Sequence, residues 1–250
     1  MDLGIEGRVA LVLGASSGLG RATAAALAGE GARVAVASRS AERLAPVVAE
    51  LGGDAEAFEA DTDDLERMSE LPAHVEERLG PIEILVLNTG GPPLGQALDH
   101  STEEWEAAFR SLVLAPRTLI EAVLPGMRER GWGRIVNVAS SSIREPIPGL
   151  TLSNSNRMAA LGLLTTLARE VAGEGITVNT IATGRFATPR LADNYGSLED
   201  AERAASEDVP AGRLGTPEEY GDLVAFVCSE RAAYLTGTVI PLDGGLTRSA

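Results

Sequence analysis

The sequence predicts an α/β protein, a doubly wound parallel sheet of about seven strands with helices on both faces. Short apolar segments alternate with longer amphipathic segments along all 250 residues, and each pair of parallel strands needs a crossover of that kind. A glycine-rich turn joins the first apolar segment to the first amphipathic one. No repeat or low-complexity linker divides the chain, so we expect one domain, residues 1–250.

The predicted strands are short apolar runs bounded by glycine or polar turn residues. In chain order they are Val9–Leu13, Arg33–Ala37, Ala55–Ala60, Ile84–Leu87, Arg134–Ala139, Thr177–Ala182 and Thr238–Leu242. The predicted helices show apolar residues at helical spacing. They are Gly18–Ala28, Ala41–Leu51, Leu65–Leu79, Thr102–Arg128, Leu150–Gly173 and Pro217–Cys228. The segment 183–216 lacks this alternation of strand and helix patterns and is typical of a lid or substrate loop. Short helical structure is expected in its acidic half, Leu198–Asp208.

The composition excludes several classes of function. The formal net charge is −15, which argues against binding of nucleic acid or anionic membranes. No apolar run has the length of a membrane span and the first residues lack a secretory signal, so we expect a cytoplasmic protein. All 21 basic residues are arginine, which excludes a Schiff-base lysine. The single cysteine, Cys228, excludes an intramolecular disulfide, and we expect no metal site.

The first predicted strand leads into the motif Gly14-Ala-Ser-Ser-Gly18-Leu-Gly20 and then into a helix. Glycines allow the backbone to turn sharply and to approach a pyrophosphate, and the helix N-terminus offers free N–H groups to it. In this strand–turn–helix context the motif predicts a Rossmann fold that binds a dinucleotide. The residues expected at the cofactor are Gly14, Ser16, Ser17, Gly18, Leu19 and Gly20.

The second predicted strand runs into Ser38 and Arg39. Proteins of this fold that are specific for NAD usually place an acidic residue here to bind the ribose 2′-hydroxyl. A serine hydroxyl and an arginine guanidinium instead suit a 2′-phosphate, so NADP(H) is favoured over NAD(H). The alternative interpretation of Arg39 is a solvated arginine at the start of a helix.

The Gly-x-x-x-Gly-x-Gly spacing resembles that of the short-chain dehydrogenase/reductase family, and other marks of that family follow in order. These are Asp61 with Thr62, Asn88-Thr-Gly90, Asn179, Thr183-Gly184 (with threonine in place of proline), Thr188, Pro217-Glu-Glu and Asp243-Gly-Gly245. The resemblance covers essentially the whole chain and is closest to bacterial 3-oxoacyl-acyl-carrier-protein reductases and carbonyl reductases. It implies that Asp61 contacts adenine and Thr188 the nicotinamide amide. It also implies that Thr62, Asn88, Gly90 and Gly184 line the cofactor cleft, while Ser17 stands where many NADP-binding relatives have a second basic residue.

The resemblance also implies a catalytic set, and this chain departs from it. The family uses a serine, a tyrosine thirteen residues later, a lysine four residues after the tyrosine, and an asparagine on the preceding helix. The serine is present as Ser140. The tyrosine position is Ser153, the lysine position is Arg157 and the asparagine position is Leu112.

Ser153 and Arg157 are one helical turn apart, so both side chains are expected on one face of the helix. Arg157 keeps the positive charge of the lysine and is expected to bind the cofactor ribose, but it does not release a proton at ordinary pH. The Ser153 hydroxyl has a pKa far above the working pH, which makes it a poor general acid. We therefore assign Ser140, Ser153 and Arg157 to the catalytic site of an oxidoreductase with weakened proton transfer.

Two functional hypotheses fit these observations. The first is an NADP-dependent oxidoreductase that acts on a small carbonyl or alcohol substrate. The second is a non-catalytic dinucleotide-binding protein that serves as a sensor or an oligomeric partner. Tyr195 is a possible substitute proton donor, although a tyrosine in a surface loop is the simpler interpretation.

Three further expectations concern other arginines, the histidines and the assembly. One hypothesis is that Arg144, Arg185 and Arg190 together bind an anionic group of the substrate; the simpler interpretation, which we favour, is that arginine is merely the only type of cation in this chain. His74 and His100 are expected to be solvated and to have no role. Two helical segments contain more apolar residues than one face packed on the sheet requires, namely Ser111–Leu124 and Met158–Leu167. This excess predicts a homotetramer, with a dimer as the alternative.

Overall fold

A computed structural model describes residues 1–249 and contains one seven-stranded parallel sheet. The strands are β1 (Val9–Leu13), β2 (Arg33–Ser38), β3 (Glu56–Glu59), β4 (Ile82–Leu87), β5 (Gly133–Val138), β6 (Ile176–Thr183) and β7 (Val239–Leu242). Their spatial order is β3-β2-β1-β4-β5-β6-β7. The order reverses between β1 and β4, and ligands of such sheets bind at this switch point, outside the carboxyl ends of the strands.

Helices cover both faces of the sheet, as the alternating pattern predicts. They are α1 (Gly18–Gly29), α2 (Ala41–Leu51), α3 (Leu65–Leu79), α4 (Thr102–Phe109), α5 (Ala115–Arg130), α6 (Thr151–Val171), α7 (Pro189–Tyr195), α8 (Leu198–Asp208) and α9 (Pro217–Val227). Buried residues of α3, α5 and α6 pack on one face, and those of α1, α2 and α9 pack on the other. None of the helices within residues 1–249 has the length and apolar character of a bilayer span.

Small residues bring α1 and α9 unusually close together. A Cβ atom on Gly221 of α9 would lie 2.5 Å from the backbone oxygen of Ala22 in α1. Cys228, just after α9, is fully buried in the same layer, as its apolar surroundings predict. This tight contact fixes α9 behind the carboxyl ends of β1 and β6, which is the side of the sheet that carries the site.

The predicted helix Thr102–Arg128 is wrong as a single α-helix. A five-residue π-helical turn, Arg110–Leu114, separates α4 from α5. The local sequence does not predict this π-helical turn, since residues 102–114 contain neither proline nor glycine. The turn lies where Leu112 and Val113 pack against Ala160 of α6, so tertiary packing determines it. π turns of this type are frequent at functional sites.

Candidate active site

The carboxyl ends of the strands border a cleft of about 1010 Å³. Of all the residues predicted to bind cofactor or to act in catalysis, every one except Gly20 lines this cleft. These residues are up to about 170 positions apart in the chain, so only the tertiary fold brings them together. The fold therefore assembles the proposed cofactor and catalytic residues in one space.

The glycines of the first turn are required by close backbone packing. Gly14 and Gly18 have φ angles of 60° and 54°, in the region that favours glycine. A Cβ atom on Gly14 would lie 2.5 Å from the backbone oxygen of Asn88, and one on Gly20 would lie 2.3 Å from the backbone oxygen of Gly14. The Asn88 amide Nδ2 donates to the Gly14 oxygen at 3.4 Å. Gly20 and Asn88 thus shape the turn that Gly14 and Gly18 present to the cleft.

The N-terminus of α1 differs from those of α2 and α7, which also border the cleft. Ser40 and Thr188 cap α2 and α7, because their side chains accept hydrogen bonds from backbone N–H groups in the first turn. Ser17 caps α1 without any side-chain hydrogen bond. The first N–H groups of α1 and the positive end of its dipole are thus left for an anion. Together with the glycine turn, this arrangement fits the pyrophosphate of a dinucleotide.

Two arginines lie at the end of the cleft next to β2. Arg39 is exposed and lines the cleft, as predicted. Arg43 lines it too, and sequence reasoning missed it; the signal was its position four residues after Arg39, at the first turn of α2. Neither forms an ion pair within residues 1–249. Ser38 is engaged locally, since its hydroxyl donates to the Ser40 oxygen at 3.2 Å.

Asp61 and Thr62 follow β3 and line the same end of the cleft. The Asp61 carboxylate accepts a hydrogen bond from the Asp63 backbone at 3.1 Å, which fixes the turn. The Thr62 hydroxyl donates to the Ser111 hydroxyl at 3.2 Å, and this bond joins the turn to the π turn before α5. The π turn thereby contributes a cleft residue, Ser111, that the sequence did not indicate.

Ser153 and Arg157 lie together at the end of the cleft that is predicted to be catalytic. Arg157 Nε donates to Ser153 Oγ at 3.1 Å, which confirms that the two side chains share one face of α6. Arg157 Nη1 donates to the backbone oxygen of Val138 at 2.8 Å, and Nη2 donates to the backbone oxygen of Gly90. One guanidinium therefore connects α6 with the ends of β5 and β4. Burial lowers the pKa of Arg157 to about 10, so it is still a cation at neutral pH.

Ser140 lies two residues after the end of β5, directly before the short 3-10 turn Ser141–Ile143. Its Oγ accepts a hydrogen bond from the Ser142 backbone N–H at 3.1 Å. The hydroxyls of Ser140 and Ser153 thus each accept one N–H bond from the protein and each retain an O–H to donate into the cleft. Leu112 is buried against Val113 and Ala160, so this position offers apolar surface rather than a group that could hold water.

The three arginines predicted to bind an anion do not act together. Arg185 pairs with Asp208 at 2.8 Å. Arg144 is absent from the cleft lining and donates to the Ser249 backbone oxygen at 2.6 Å. The prediction of a three-arginine site is wrong, because Asp208 and the C-terminal segment occupy two of its members. Of these three arginines, Arg190 is the one that lines the cleft without an ion pair within residues 1–249.

The C-terminal segment forms part of the cleft wall, which the sequence did not indicate. Leu246 and Thr247 line the cleft. The Glu145 carboxylate accepts hydrogen bonds from the backbone N–H groups of Arg248 and Ser249, both at 2.6 Å. These bonds lower the pKa of Glu145. The segment is thereby tied to the loop that follows Ser140.

The expectation that both histidines are solvated is half wrong. His74 is exposed on α3. The side chain of His100 is only 4% exposed, and its Nδ1 lies 3.4 Å from Glu104 Oε2. His100 packs over Gly95, where a Cβ atom would come within 2.5 Å of its Nε2. Glycine at position 95 makes room for the ring, a complementarity between residues of one loop that no periodicity reveals.

Tyr195 and Tyr220 are the two tyrosines near the cleft. Tyr195 ends α7 and lines the cleft, with the Arg185 guanidinium 5.6 Å from its ring centre. Tyr220 is fully buried and accepts a hydrogen bond from the Thr183 hydroxyl at 3.1 Å. Burial raises the pKa of Tyr220. A tyrosine held in this way supports the end of β6 rather than the chemistry in the cleft.

Comparison with known proteins decides the family. Residues 14–247 match the family model described as enoyl-(acyl carrier protein) reductase. The 3-oxoacyl-[acyl-carrier-protein] reductase FabG of Vibrio harveyi is 34% identical over 245 residues, which cover 98% of this chain and 99% of that protein. Human dehydrogenase/reductase SDR family member 4 is 35% identical over 248 residues, and the match covers 96% of this chain and 88% of that protein. The chain belongs to the short-chain dehydrogenase/reductase family.

Solved structures of short-chain dehydrogenases/reductases agree with this assignment. L-Sorbose reductase from Gluconobacter frateurii, complexed with NADPH and L-sorbose, superposes with a TM-score of 0.95 at 31% identity, and the match covers 100% of both chains. The predicted Rossmann fold and the predicted family are confirmed. Ser153 and Arg157 line the cleft of the present chain, and Leu112 is buried outside it against Val113 and Ala160.

Proposed function

We propose that this protein is an NADP(H)-dependent oxidoreductase that reduces the carbonyl group of a small molecule, or oxidises the corresponding alcohol. Ser140, Ser153 and Arg157 bind and polarise the reacting oxygen. The observation that carries the proposal is the hydrogen bond from Arg157 Nε to Ser153 Oγ, 3.1 Å long, within the cleft that also contains the cofactor cradle. Because Arg157 is a cation, this bond strengthens Ser153 as a hydrogen-bond donor.

The cofactor proposal is supported by the residues along the cleft. The N-terminus of α1 and the glycine turn would hold the pyrophosphate, and Asp61 would lie at the adenine. Arg39 and Arg43 would bind the 2′-phosphate, and together they supply the two cations that suit its charge. When bound, the nicotinamide supplies or accepts the hydride. The relatives that are described with NADPH, such as L-sorbose reductase, support the same preference.

The two serines and Arg157 suit stabilisation of negative charge rather than general acid catalysis. Hydride addition to a carbonyl carbon leaves negative charge on its oxygen. Two hydroxyl donors, each already accepting a protein N–H bond, are oriented to donate to that oxygen, and the Arg157 charge stabilises it. Neither serine gives up its proton readily, so the proton that completes the alcohol comes from water in the cleft.

The test is a titration with NADPH and NADH, followed by a screen of carbonyl compounds for oxidation of NADPH. Ser140→Ala and Ser153→Ala are expected to lower kcat and to leave NADPH affinity unchanged. Ser155→Ala is the matched control, because Ser155 is exposed on the same turn of α6. A rate that neither cleft variant changes would overturn the proposed roles.

The second candidate function is a non-catalytic dinucleotide-binding protein. It is favoured by the three bonds that the Arg157 guanidinium makes to other parts of the protein, since a purely structural clamp would show the same geometry. Tight NADPH binding without turnover of any carbonyl compound would select this candidate.

We also propose a homotetramer, with a dimer as the alternative. Phe109 and Met158 are 42% and 48% exposed, although both are large apolar residues. Met158 also lines a shallow depression on the outer face of α6, together with Leu161 and Gly162. Burial of this surface against a second copy would remove apolar area from water. Light scattering at micromolar concentration tests this, and a monomer mass would refute it. The cytoplasmic location stays a prediction from the sequence.

A further inference from the structure

Two guanidinium groups converge on one short segment at the catalytic end of the cleft. Arg157 donates to the Gly90 oxygen from α6. Arg190 donates to the Pro92 oxygen at 2.9 Å from α7, on the opposite rim. The two acceptors are two residues apart, so two positive charges lie close to each other beside Ser153. Their mutual repulsion contributes to the lowered pKa of Arg157, after the larger effect of burial.

No carboxylate within residues 1–249 forms an ion pair with either group. Five arginines line the cleft, and of these only Arg185 is paired, to Asp208. Five acidic residues also line the cleft, but none forms an ion pair with Arg157 or Arg190 within residues 1–249; they are Asp61, Asp63, Glu104, Glu145 and Asp193. The carboxylates of Asp61 and Glu145 accept hydrogen bonds from backbone N–H groups, and Glu104 lies next to His100. In a chain with 36 acidic and 21 basic residues, cations left unpaired in a cleft indicate that an anion enters it.

The phosphates of the cofactor have other partners. The start of α1 suits the pyrophosphate, and Arg39 with Arg43 suits the 2′-phosphate. Arg157, by contrast, contacts Ser153, which we place at the reacting carbonyl. We propose that Arg190 binds the carboxylate of the substrate, with the positive charge of Arg157 nearby, and that the substrate is a short oxo acid. This inference rests on the proposed function, because it names the substrate class of the same site.

The cofactor pyrophosphate is the other anion within reach. α7 begins beside the phosphate turn, since a Cβ atom on Gly18 would lie 3.3 Å from Thr188 Cγ2. The experiment must therefore separate a substrate carboxylate from a cofactor phosphate. Acetoacetate and methyl acetoacetate are suitable probes, because they share the same ketone and differ in the negative charge.

With NADPH saturating, the wild-type kcat/KM is expected to be about ten- to hundredfold higher for acetoacetate than for its methyl ester. Arg190→Gln is expected to abolish this preference through a higher KM for the acid, with the NADPH dissociation constant unchanged. Arg190→Lys is expected to keep part of the preference. Arg39→Gln is the matched control from the other end of the cleft: it is expected to weaken NADPH binding and to leave the acid-to-ester ratio unchanged.

Equal or better use of the ester by the wild type would overturn the inference. So would an Arg190→Gln variant that binds NADPH more weakly and keeps the acid-to-ester ratio, since Arg190 would then serve the pyrophosphate. If neither ketone is reduced, the proposed function fails and calorimetry decides the inference separately. Acetoacetate is then titrated into the protein saturated with NADP⁺: binding that Arg190→Gln abolishes supports the anion site, and absent or unchanged binding refutes it.

Discussion

Replacement of Arg157 by lysine tests whether this guanidinium holds the catalytic end of the cleft together. The guanidinium makes three hydrogen bonds, to Ser153, Val138 and Gly90. A lysine ammonium is compact and lacks the planar fork, so it can replace about one of the three. Two charge-assisted hydrogen bonds are worth about 3–6 kcal/mol when fully buried. Because Arg157 is half-buried, water can replace part of the lost hydrogen bonds. We therefore expect the free energy of unfolding to fall by about 2–4 kcal/mol.

For a chain of this length the loss corresponds to a fall in Tm of about 5–15 °C. Circular dichroism at 222 nm, at one fixed protein concentration, measures it. Arg169→Lys is the matched control: Arg169 lies exposed on the same helix, makes no side-chain hydrogen bond within residues 1–249, and its variant is expected to unfold like the wild type. Equal Tm values for Arg157→Lys and the wild type would refute the clamp.

Three further predictions address the cofactor, the chemistry and stability. Arg39→Asp is expected to reverse the preference for NADPH over NADH, since a carboxylate repels a 2′-phosphate; fluorescence titration measures both affinities, and an unchanged ratio contradicts the assignment. Ser153→Tyr with Arg157→Lys, assayed well below its Tm, is expected to reduce ketones faster than the wild type and faster than Ser153→Tyr alone; a slower double variant would show that this cleft no longer accommodates the tyrosine. The pKa of Glu219 is lowered to about 2, chiefly by its bonds to Arg213. The stabilisation by ionised Glu219 is present above the unfolded pKa of 4.5 and is lost as the pH falls towards 2. Glu219→Gln is therefore expected to have a lower Tm than the wild type at pH 7, and the two Tm values are expected to converge in that acidic range. A difference in Tm that stays constant with pH would contradict this prediction.

The sequence by itself determined the fold and the family, and it predicted the residues of the cofactor cradle. Strand and helix alternation is a local periodicity, and the turn from Gly14 to Gly20 is a contiguous motif whose backbone geometry only glycine satisfies. The spacing of Ser153 and Arg157 along one helix predicts that they share a face, and their hydrogen bond confirms it. That they occupy the tyrosine and lysine positions of the family stays a prediction. Each of these inferences depends on residues within about one helix or one turn of each other, where spacing dictates geometry.

Only the tertiary structure decided which side chains meet across the cleft. Arg190 reaches Pro92 over 98 positions, and Glu145 binds the backbone of Ser249 over 104. Other long-range contacts join Arg144 to the Ser249 backbone, outside the cleft lining, and Arg185 to Asp208 in an ion pair. A sequence shows that an arginine is charged but not which carboxylate it finds, because that depends on distances that appear only once the sheet is assembled. The division of the cleft arginines into paired and unpaired groups, and hence the proposed substrate, is therefore a property of the fold.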